Sequence, residues 1–196
     1  MRTEESMNAR HLLIPTFLLC ALLACGGGST PAGPTAATKL TYTNPTSGTY
    51  QLKQNTTMST NTHLVLELWG PVGTTGSGAT MSFTLGSSAA AWKNVNSTDA
   101  ANTFVANGSA FDLGAGTPIL KAKVSDNTLV ATVAEKGIAA PKALNQALLR
   151  VAVDLKTGTT AGTVITLTPV ASKCLVLLPD GTMPSIAVTA ASITAQ

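Results

Sequence analysis

The sequence contains little cysteine, and this scarcity excludes a disulfide framework. Its three cysteines are Cys20, Cys25 and Cys174. The first two lie in or directly after an apolar N-terminal run, so only Cys174 remains for a folded domain, and no intramolecular disulfide can form there. Cys174 belongs to the apolar run 174–178. This setting predicts a buried thiol that packs as a small hydrophobic side chain.

Charged residues are also scarce. They make up 11% of the chain, and the formal net charge is +3. The lysines are spread along the sequence, without any run of basic residues. A nucleic-acid-binding surface needs concentrated positive charge to neutralise phosphates. We therefore predict no nucleic-acid partner.

Residues that could carry catalysis are few. Of the two histidines, only His63 lies beyond the N-terminal run, and the strand pattern predicts it to be exposed. Beyond the N-terminal run, the sequence has no nucleophile-elbow, His-Glu-x-x-His or phosphate-loop motif, and no carboxylates paired at short spacing. We predict no catalytic residues, no metal site and no cofactor. An enzyme with an unrecognised site is the third alternative, and clustering of Asp112, Asp126 and Asp180 in one cleft would favour it.

The first 24 residues have the layout of a signal peptide. The apolar run 12–24 follows Arg10 and His11, and it is shorter than the roughly 20 residues needed to span a bilayer. Glu4 and Glu5 fit a basic start poorly, so translation from Met7 is an alternative to translation from Met1.

The end of this run is Leu22-Leu23-Ala24-Cys25. It resembles the lipobox of bacterial lipoproteins, with an aliphatic residue three before the cysteine and a small residue just before it. The resemblance implies cleavage before Cys25, a diacylglycerol thioether on its sulfur, and a fatty acid such as palmitate on the new amine. Several acyl chains anchor far longer than one, since each buried methylene contributes about 0.8 kcal/mol. The resemblance also implies that Gly26, at the next position, is compatible with export to the outer membrane, so we predict a lipid-anchored protein of the cell envelope, in the outer membrane rather than the inner.

A tether follows the lipobox. Residues 25–38 are rich in Gly, Pro, Ser, Thr and Ala, without apolar periodicity, and such a composition forms a flexible linker. The sequence thus predicts a signal peptide at 1–24, a tether at 25–38 and one domain at 39–196.

The domain alternates between apolar and polar residues with period two, which is typical of half-buried strands. In the segment 62–69, Leu64, Leu66 and Leu68 share one face. The segments 79–85, 119–124, 128–133, 149–155 and 163–168 follow the same pattern. Roughly nine strands with Gly-rich turns predict an all-β fold, a jelly-roll or immunoglobulin-like β-sandwich.

Three segments are interpreted differently. Residues 88–95 carry three consecutive alanines and predict a short helix, with Trp92 plugging one end of the sandwich. Residues 141–147 begin with proline and predict one helical turn. Residues 173–178 are apolar on both faces, which predicts a central strand.

The order of segments 148–155, 161–168, 179–181, 186–188 and 193–194 is similar to that of cohesin-like modules of bacterial surface proteins. These modules share a jelly-roll sandwich with some carbohydrate-binding modules, and residues 64–85 resemble their opening pair of strands. A cohesin binds a dockerin partner through one sheet face. The resemblance therefore implies a non-catalytic module that binds a protein or a glycan. Together with the lipobox, it predicts a membrane-anchored, surface-displayed module that recognises a protein or a cell-envelope component.

A carbohydrate-binding module is the alternative. Sugar binding usually needs exposed flat aromatic rings. Trp69 lies opposite the Leu64–Leu66–Leu68 face and beside a Gly-Pro loop, so it is the candidate ligand platform. An exposed coplanar aromatic strip that includes Trp69 would favour a glycan ligand, whereas a buried Trp69 would argue against one.

Overall fold

The structure is a computed structural model, and it describes residues 33–99, 103–113, 116–137 and 140–196. The predicted signal peptide, the lipobox at 22–25 and the start of the tether lie outside these residues. No helix in the described ranges is long and apolar enough to cross a membrane.

Short strands dominate the described chain. The first eight are β1 (Leu40–Tyr42), β2 (Tyr50–Gln54), β3 (His63–Trp69), β4 (Thr75–Gly76), β5 (Gly78–Leu85), β6 (Ala90–Lys93), β7 (Ala106–Asn107) and β8 (Ile119–Ser125). The others are β9 (Thr128–Ala134), β10 (Lys142–Ala143), β11 (Ala147–Leu155), β12 (Val164–Ile165), β13 (Leu167–Pro169), β14 (Leu175–Leu177), β15 (Val188–Thr189) and β16 (Ile193–Ala195). Two single-turn 3-10 helices are formed by Ser109–Phe111 and Ala171–Lys173.

One large sheet is built around the long strands β3 and β11. It has six strands, in the order β15-β2-β3-β11-β6, with β7 also pairing with β11. The central pair is antiparallel, and its register places Val151 opposite Leu66. The alternation in β3 and β11 puts leucine and valine side chains of both strands on one face.

The second large sheet has five strands, in the order β13-β5-β9-β8, with β14 also pairing with β5. The β8–β9 hairpin closes where Ser125 pairs with Thr128. Asp126 adopts a left-handed φ of 54°, which Asp tolerates in turns. The predicted strands at 79–85, 119–124 and 128–133 are confirmed.

Two small sheets complete the described fold, with orders β1-β16-β12 and β10-β4. The chain passes from one sheet to another between β12 and β13, because Ile165 pairs with β16 whereas Leu167 pairs with β5. Backbone hydrogen bonds join Ala37 to Thr159 and Thr38 to Gln196. Residues of the predicted tether nearest to position 39 are therefore hydrogen-bonded to the domain.

The hydrophobic core lies between the inner faces of the two large sheets. Leu64, Leu66 and Leu68 face it from β3, and Met81 and Phe83 face it from β5, all with at most 1% exposure. Neither sheet could remove its apolar face from water alone, so the stacking of the two stabilises the fold. The predicted all-β sandwich is confirmed.

Both predicted helices are wrong. Residues 88–95 contain β6, which pairs with β11 and alternates between buried Ala90 and Trp92 and more exposed Ala91 and Lys93. Residues 141–147 contain β10, which pairs with β4. The helix propensity of alanine is a weak preference, and tertiary pairing overrides it. Trp92 lies in the core, and its Nε1 donates to the Asn127 carbonyl at 2.8 Å, where the β8–β9 hairpin turns.

The strand predicted at 173–178 is shorter than expected, because the Ala171–Lys173 turn precedes β14. It is flanked on both sides, since β14 pairs with β5 and its other side has a bridge between Leu175 and Ser185 and backbone hydrogen bonds from Val176 N to the Pro184 carbonyl and from Ile186 N to the Cys174 carbonyl. The segment is apolar on both faces, and both faces are at least partly covered. Cys174 and Val176 are buried on one face, and Leu175 and Leu177 are half-buried on the other.

Candidate functional site

The outer face of the six-stranded sheet carries a ladder of polar residues. The register pairs Glu67 with Arg150 and His63 with Asp154 across β3 and β11. His63 was expected to be exposed on this face, and the structure corrects that expectation, since His63 is only 8% exposed. A second apolar cluster covers the face, with buried Val65, Val95 and Ala152 and partly buried Met58 and Ala106.

The charges of Glu67 and Arg150 compensate each other. Arg150 Nε donates to Glu67 Oε1 at 2.8 Å, and Arg150 Nη1 donates to the Asn107 carbonyl at 3.1 Å. Glu67 Oε1 also accepts from Asn55 Nδ2 at 2.8 Å, and Glu67 Oε2 accepts from Trp69 Nε1 at 3.2 Å. A buried carboxylate needs such partners to offset its lost hydration. The network holds strands and loop together, and it leaves Glu67 with no oxygen free of partners.

His63 is held at both ring nitrogens. Nδ1 contacts Asp154 Oδ1 at 2.5 Å, and Nε2 lies 2.9 Å from the Val95 carbonyl oxygen. A carbonyl can only accept, so Nε2 must donate. In a Ser-His-Asp triad, the nitrogen opposite the aspartate accepts the proton of serine. Nε2 is not available for that role here, although Ser97 lines the same cleft.

This cleft has a volume of about 380 Å³, and it lies between β6, the residues after it and β11. Its lining includes Lys93, Ser97, Phe104 and Asp154. A neighbouring cleft of about 420 Å³ shares His63 and Asp154. The His63–Asp154 pair thus lines both clefts, and the bond from His63 to the Val95 carbonyl ties the segment after β6 to the sheet.

The enzyme alternative named three aspartates: Asp112, Asp126, Asp180. None of them contributes to the lining of these two clefts or of a third cleft, beside Trp69. Asp180 accepts from the Thr182 amide at 2.9 Å and from the Thr182 hydroxyl at 2.7 Å. These bonds hold the pKa of Asp180 below its ordinary value, the hydroxyl contributing most. Among the described residues, no group of three or more His, Cys, Asp or Glu is placed to hold a metal ion.

Trp69 is half-buried at the end of β3. The Lys53 ammonium lies 4.9 Å from the centroid of its ring, within cation–π range. A cleft of about 300 Å³ beside it is lined by Gly70, Pro71 and the 83% exposed Val72, among others. Of the aromatic residues in the described ranges, only Trp69 and Phe104 are partly exposed, and they line different clefts. The role of Trp69 as a ligand platform stays a prediction.

The outer face of the five-stranded sheet is different, because it is open over β8 and β9. Two threonine pairs cross from β5 to β9, with hydroxyl oxygens 3.0 Å apart in Thr80–Thr132 and 2.8 Å apart in Thr84–Thr128. We call the surface formed by these pairs and the adjoining side chains the threonine face: Thr80, Thr84, Thr128, Val130, Thr132, Lys121, Lys123. Both lysines are exposed, and the other members are half-exposed.

Ser82 marks the limit of the threonine face. It lies on the outward side of β5 between Thr80 and Thr84, but it is fully buried, and its carbonyl accepts from the Val170 amide at 2.9 Å. Cys174 Sγ lies 3.6 Å from the Ser82 carbonyl, and burial raises the pKa of the Cys174 thiol. The prediction of a buried thiol is confirmed.

Sequence reasoning missed the outer-face network. The alternation in 149–155 places Arg150 and Asp154 on the polar face of the strand, where solvent would be expected, yet each meets a partner on β3. The sequence did contain the signal, as two sets of potential ion-pair partners: Glu67 with Arg150, and His63 with Asp154. It becomes informative only once β3 and β11 are known to be neighbours, since cross-strand pairs depend on register.

No protein-family model matches the chain. No curated protein matches it either. Among solved structures, it is similar to a cohesin module of a family 33 glycoside hydrolase from Clostridium perfringens, with 15% identity, a TM-score of 0.46, and coverage of 82% of this chain and 97% of that one.

Two further cohesins are similar in the same range. The seventh type I cohesin of ScaB from Pseudobacteroides cellulosolvens has 14% identity and a TM-score of 0.45, with 67% of this chain and 79% of that one covered. A non-cellulosomal cohesin from the archaeon Archaeoglobus fulgidus has 12% identity and a TM-score of 0.42, with 79% and 87% covered. At these identities, no binding residue is carried over from them to this chain.

Proposed function

We propose that this chain is a lipid-anchored, non-catalytic module of the cell envelope that binds a protein partner through the threonine face. One observation carries the proposal: of the two large sheets, one has its outer face covered by its own loops, whereas the other is open over β8 and β9. A flat face without a deep cavity suits another protein surface better than a small molecule.

The chemistry of the threonine face defines the partner. The hydroxyl groups of Thr84 and Thr128 are hydrogen-bonded to each other, so the face offers hydroxyl groups that are already held in place. Binding a partner there costs little further side-chain entropy. Lys121 and Lys123 add two exposed positive charges in adjacent outward positions of β8. Complementary potentials steer association and suppress wrong partners. The partner is therefore expected to present a polar surface with acidic groups.

The geometry of His63 supports a non-catalytic role. Its Nε2 donates to the Val95 carbonyl, and Asp154 takes its other nitrogen. The same cleft would otherwise be the natural place for hydrolytic chemistry, because it contains histidine, aspartate and serine. The His63–Asp154 pair instead holds the segment around Val95 against the sheet.

The anchor rests on Leu22-Leu23-Ala24-Cys25 and on the linker composition that follows. Acyl chains on Cys25 would hold the domain at a membrane surface, and Gly26 is compatible with export to the outer membrane. Labelling cells with a palmitate analogue tests this step. Wild-type chain should be labelled and Cys25→Ala should not, and equal labelling of both would refute the anchor.

Site-directed photo-crosslinking tests the threonine face. A photoreactive residue replaces Thr84 in the full chain in intact cells, and an identical residue at exposed Thr56, in the loop over the other sheet, is the control. We expect Thr84 to give an adduct with one defined protein and Thr56 to give none. Thr132→Arg should abolish the adduct, whereas Thr56→Arg should not. Adducts of equal yield at both positions, or none at Thr84, would contradict the proposal.

A further inference from the structure

Strand β8 is a sheet edge. Its seven residues pair with β9 along their whole length, and no other described strand pairs with them. The opposite side of β8 therefore presents a row of backbone N–H and C=O groups without strand partners in the described fold. Such an edge is a template for another extended chain.

Lys121 and Lys123 give β8 one of the usual protections of an edge strand, exposed charge, but three others are missing. The register between β8 and β9 is continuous from Ile119 to Ser125, so no bulge twists the edge away. No proline interrupts the strand. Its inward positions carry Leu120, Ala122 and Val124, so no charge points into the sandwich where an added strand would bury it.

The inward side chains of β8 are also incompletely covered. Leu120 is 37% exposed, although Leu129 and Val133, which face inward from the neighbouring strand, are buried. Ala122 and Val124 pack against the core only partly. An additional strand beyond β8 would remove this apolar surface from water, and burial of apolar area is the main favourable term in association.

We propose that β8 accepts an extended segment of a partner protein as an added antiparallel strand. Its alternate residues would be apolar toward the sandwich and acidic toward Lys121 and Lys123. The inference deepens the proposed function, since it rests on the module binding protein, and it names the edge and the peptide chemistry. Backbone pairing would supply the contact, and the two lysines would select the segment.

A second copy of this chain fits the edge poorly. Antiparallel pairing of two β8 strands about a two-fold axis at Ala122 places Lys121 opposite the Lys123 position of the other copy. An axis at position 121 or 123 places a lysine opposite itself. Like charges directly opposite in a sheet are destabilising. An acidic segment replaces this repulsion with attraction.

The test uses a fluorescent peptide with the length of β8, alternating Val and Glu, and the full chain. Fluorescence anisotropy should show saturable binding, and amide exchange should slow in residues 119–125. Two further peptides are N-methylated, one at the Val and the other at the Glu positions. In an antiparallel pair only alternate amides face the neighbour, so one peptide should lose about tenfold or more in affinity and the other should bind as before.

Variants of the chain separate the contribution of the lysine charges to binding from that of the backbone hydrogen bonds. Lys121→Glu with Lys123→Glu should weaken binding about tenfold, whereas Lys136→Glu with Lys173→Glu, an equal charge change at exposed lysines elsewhere, should leave it unchanged. Leu120→Lys should block the edge by placing a charge inward. Equal binding of both methylated peptides, protection outside β8, or no binding at all would overturn the proposal. A Thr84 crosslink that persists in that case would leave the proposed function standing without the edge.

Discussion

Glu67 and Arg150 lie directly opposite each other on the two central strands of the six-stranded sheet, and Arg150 Nε donates to Glu67 Oε1 at 2.8 Å. The pair is on the outer face, yet the side chain of Glu67 is only 9% exposed and that of Arg150 is 26% exposed. Each charge of the pair depends on the other for compensation, because either residue alone would be left as an uncompensated charge in a poorly hydrated site.

Removing Arg150 should therefore destabilise the domain more than a surface ion pair would. We expect Arg150→Met to lower the free energy of unfolding by about 3 kcal/mol, because the Glu67 carboxylate stays buried with only Asn55 and Trp69 as donors. Arg150→Met combined with Glu67→Gln should recover part of the loss. Urea unfolding of the four members of this cycle measures the coupling, and strictly additive losses would contradict a paired role.

The second prediction concerns the hydrogen bond between His63 and the Val95 carbonyl. His63→Ala should lower the free energy of unfolding by about 2 kcal/mol, since it leaves the Val95 carbonyl without its donor. Amide exchange at Val95 should become faster. Lys93→Ala is the matched control, because Lys93 lines the same cleft but is exposed. An unchanged exchange rate in His63→Ala would show that the ring does not hold this segment.

Much of the sandwich could be predicted from the sequence, since alternation in β3, β5, β9 and β11 identifies the core-facing residues without any knowledge of pairing. The predictions failed at β6 and β10, where short segments take their conformation from a neighbouring strand. The candidate site was harder still. Which sheet face stays open depends on where the Met58 and Val95 loops fold back, and no local pattern encodes that placement.

The third prediction is a pH dependence at Asp180. The Thr182 hydroxyl and amide hold its pKa below the ordinary 3.8, so the bonds favour the ionised carboxylate. The stabilisation is thus present above pH 3.8 and is lost as the pH falls through the lower folded-state pKa. Thr182→Val should raise the pKa of Asp180 toward its ordinary value, as read from carboxyl chemical shifts. Thr157→Val, in another exposed turn, should not move it.

The last prediction decides between a protein and a glycan ligand at Trp69. Stacking of a sugar needs a free ring face, but the Lys53 ammonium lies over the ring, and no second partly exposed aromatic lines this cleft. We expect a glycan array probed with the full chain to show no signal that depends on Trp69. Trp69→Ala should instead lower the free energy of unfolding by about 1–2 kcal/mol, through loss of the Lys53 contact and of the bond to Glu67. Phe104→Ala is the matched control in the other cleft. A glycan signal lost in Trp69→Ala and retained in Phe104→Ala would make the chain a carbohydrate-binding module, because binding would then depend on the aromatic ring that the Lys53 side chain has to leave.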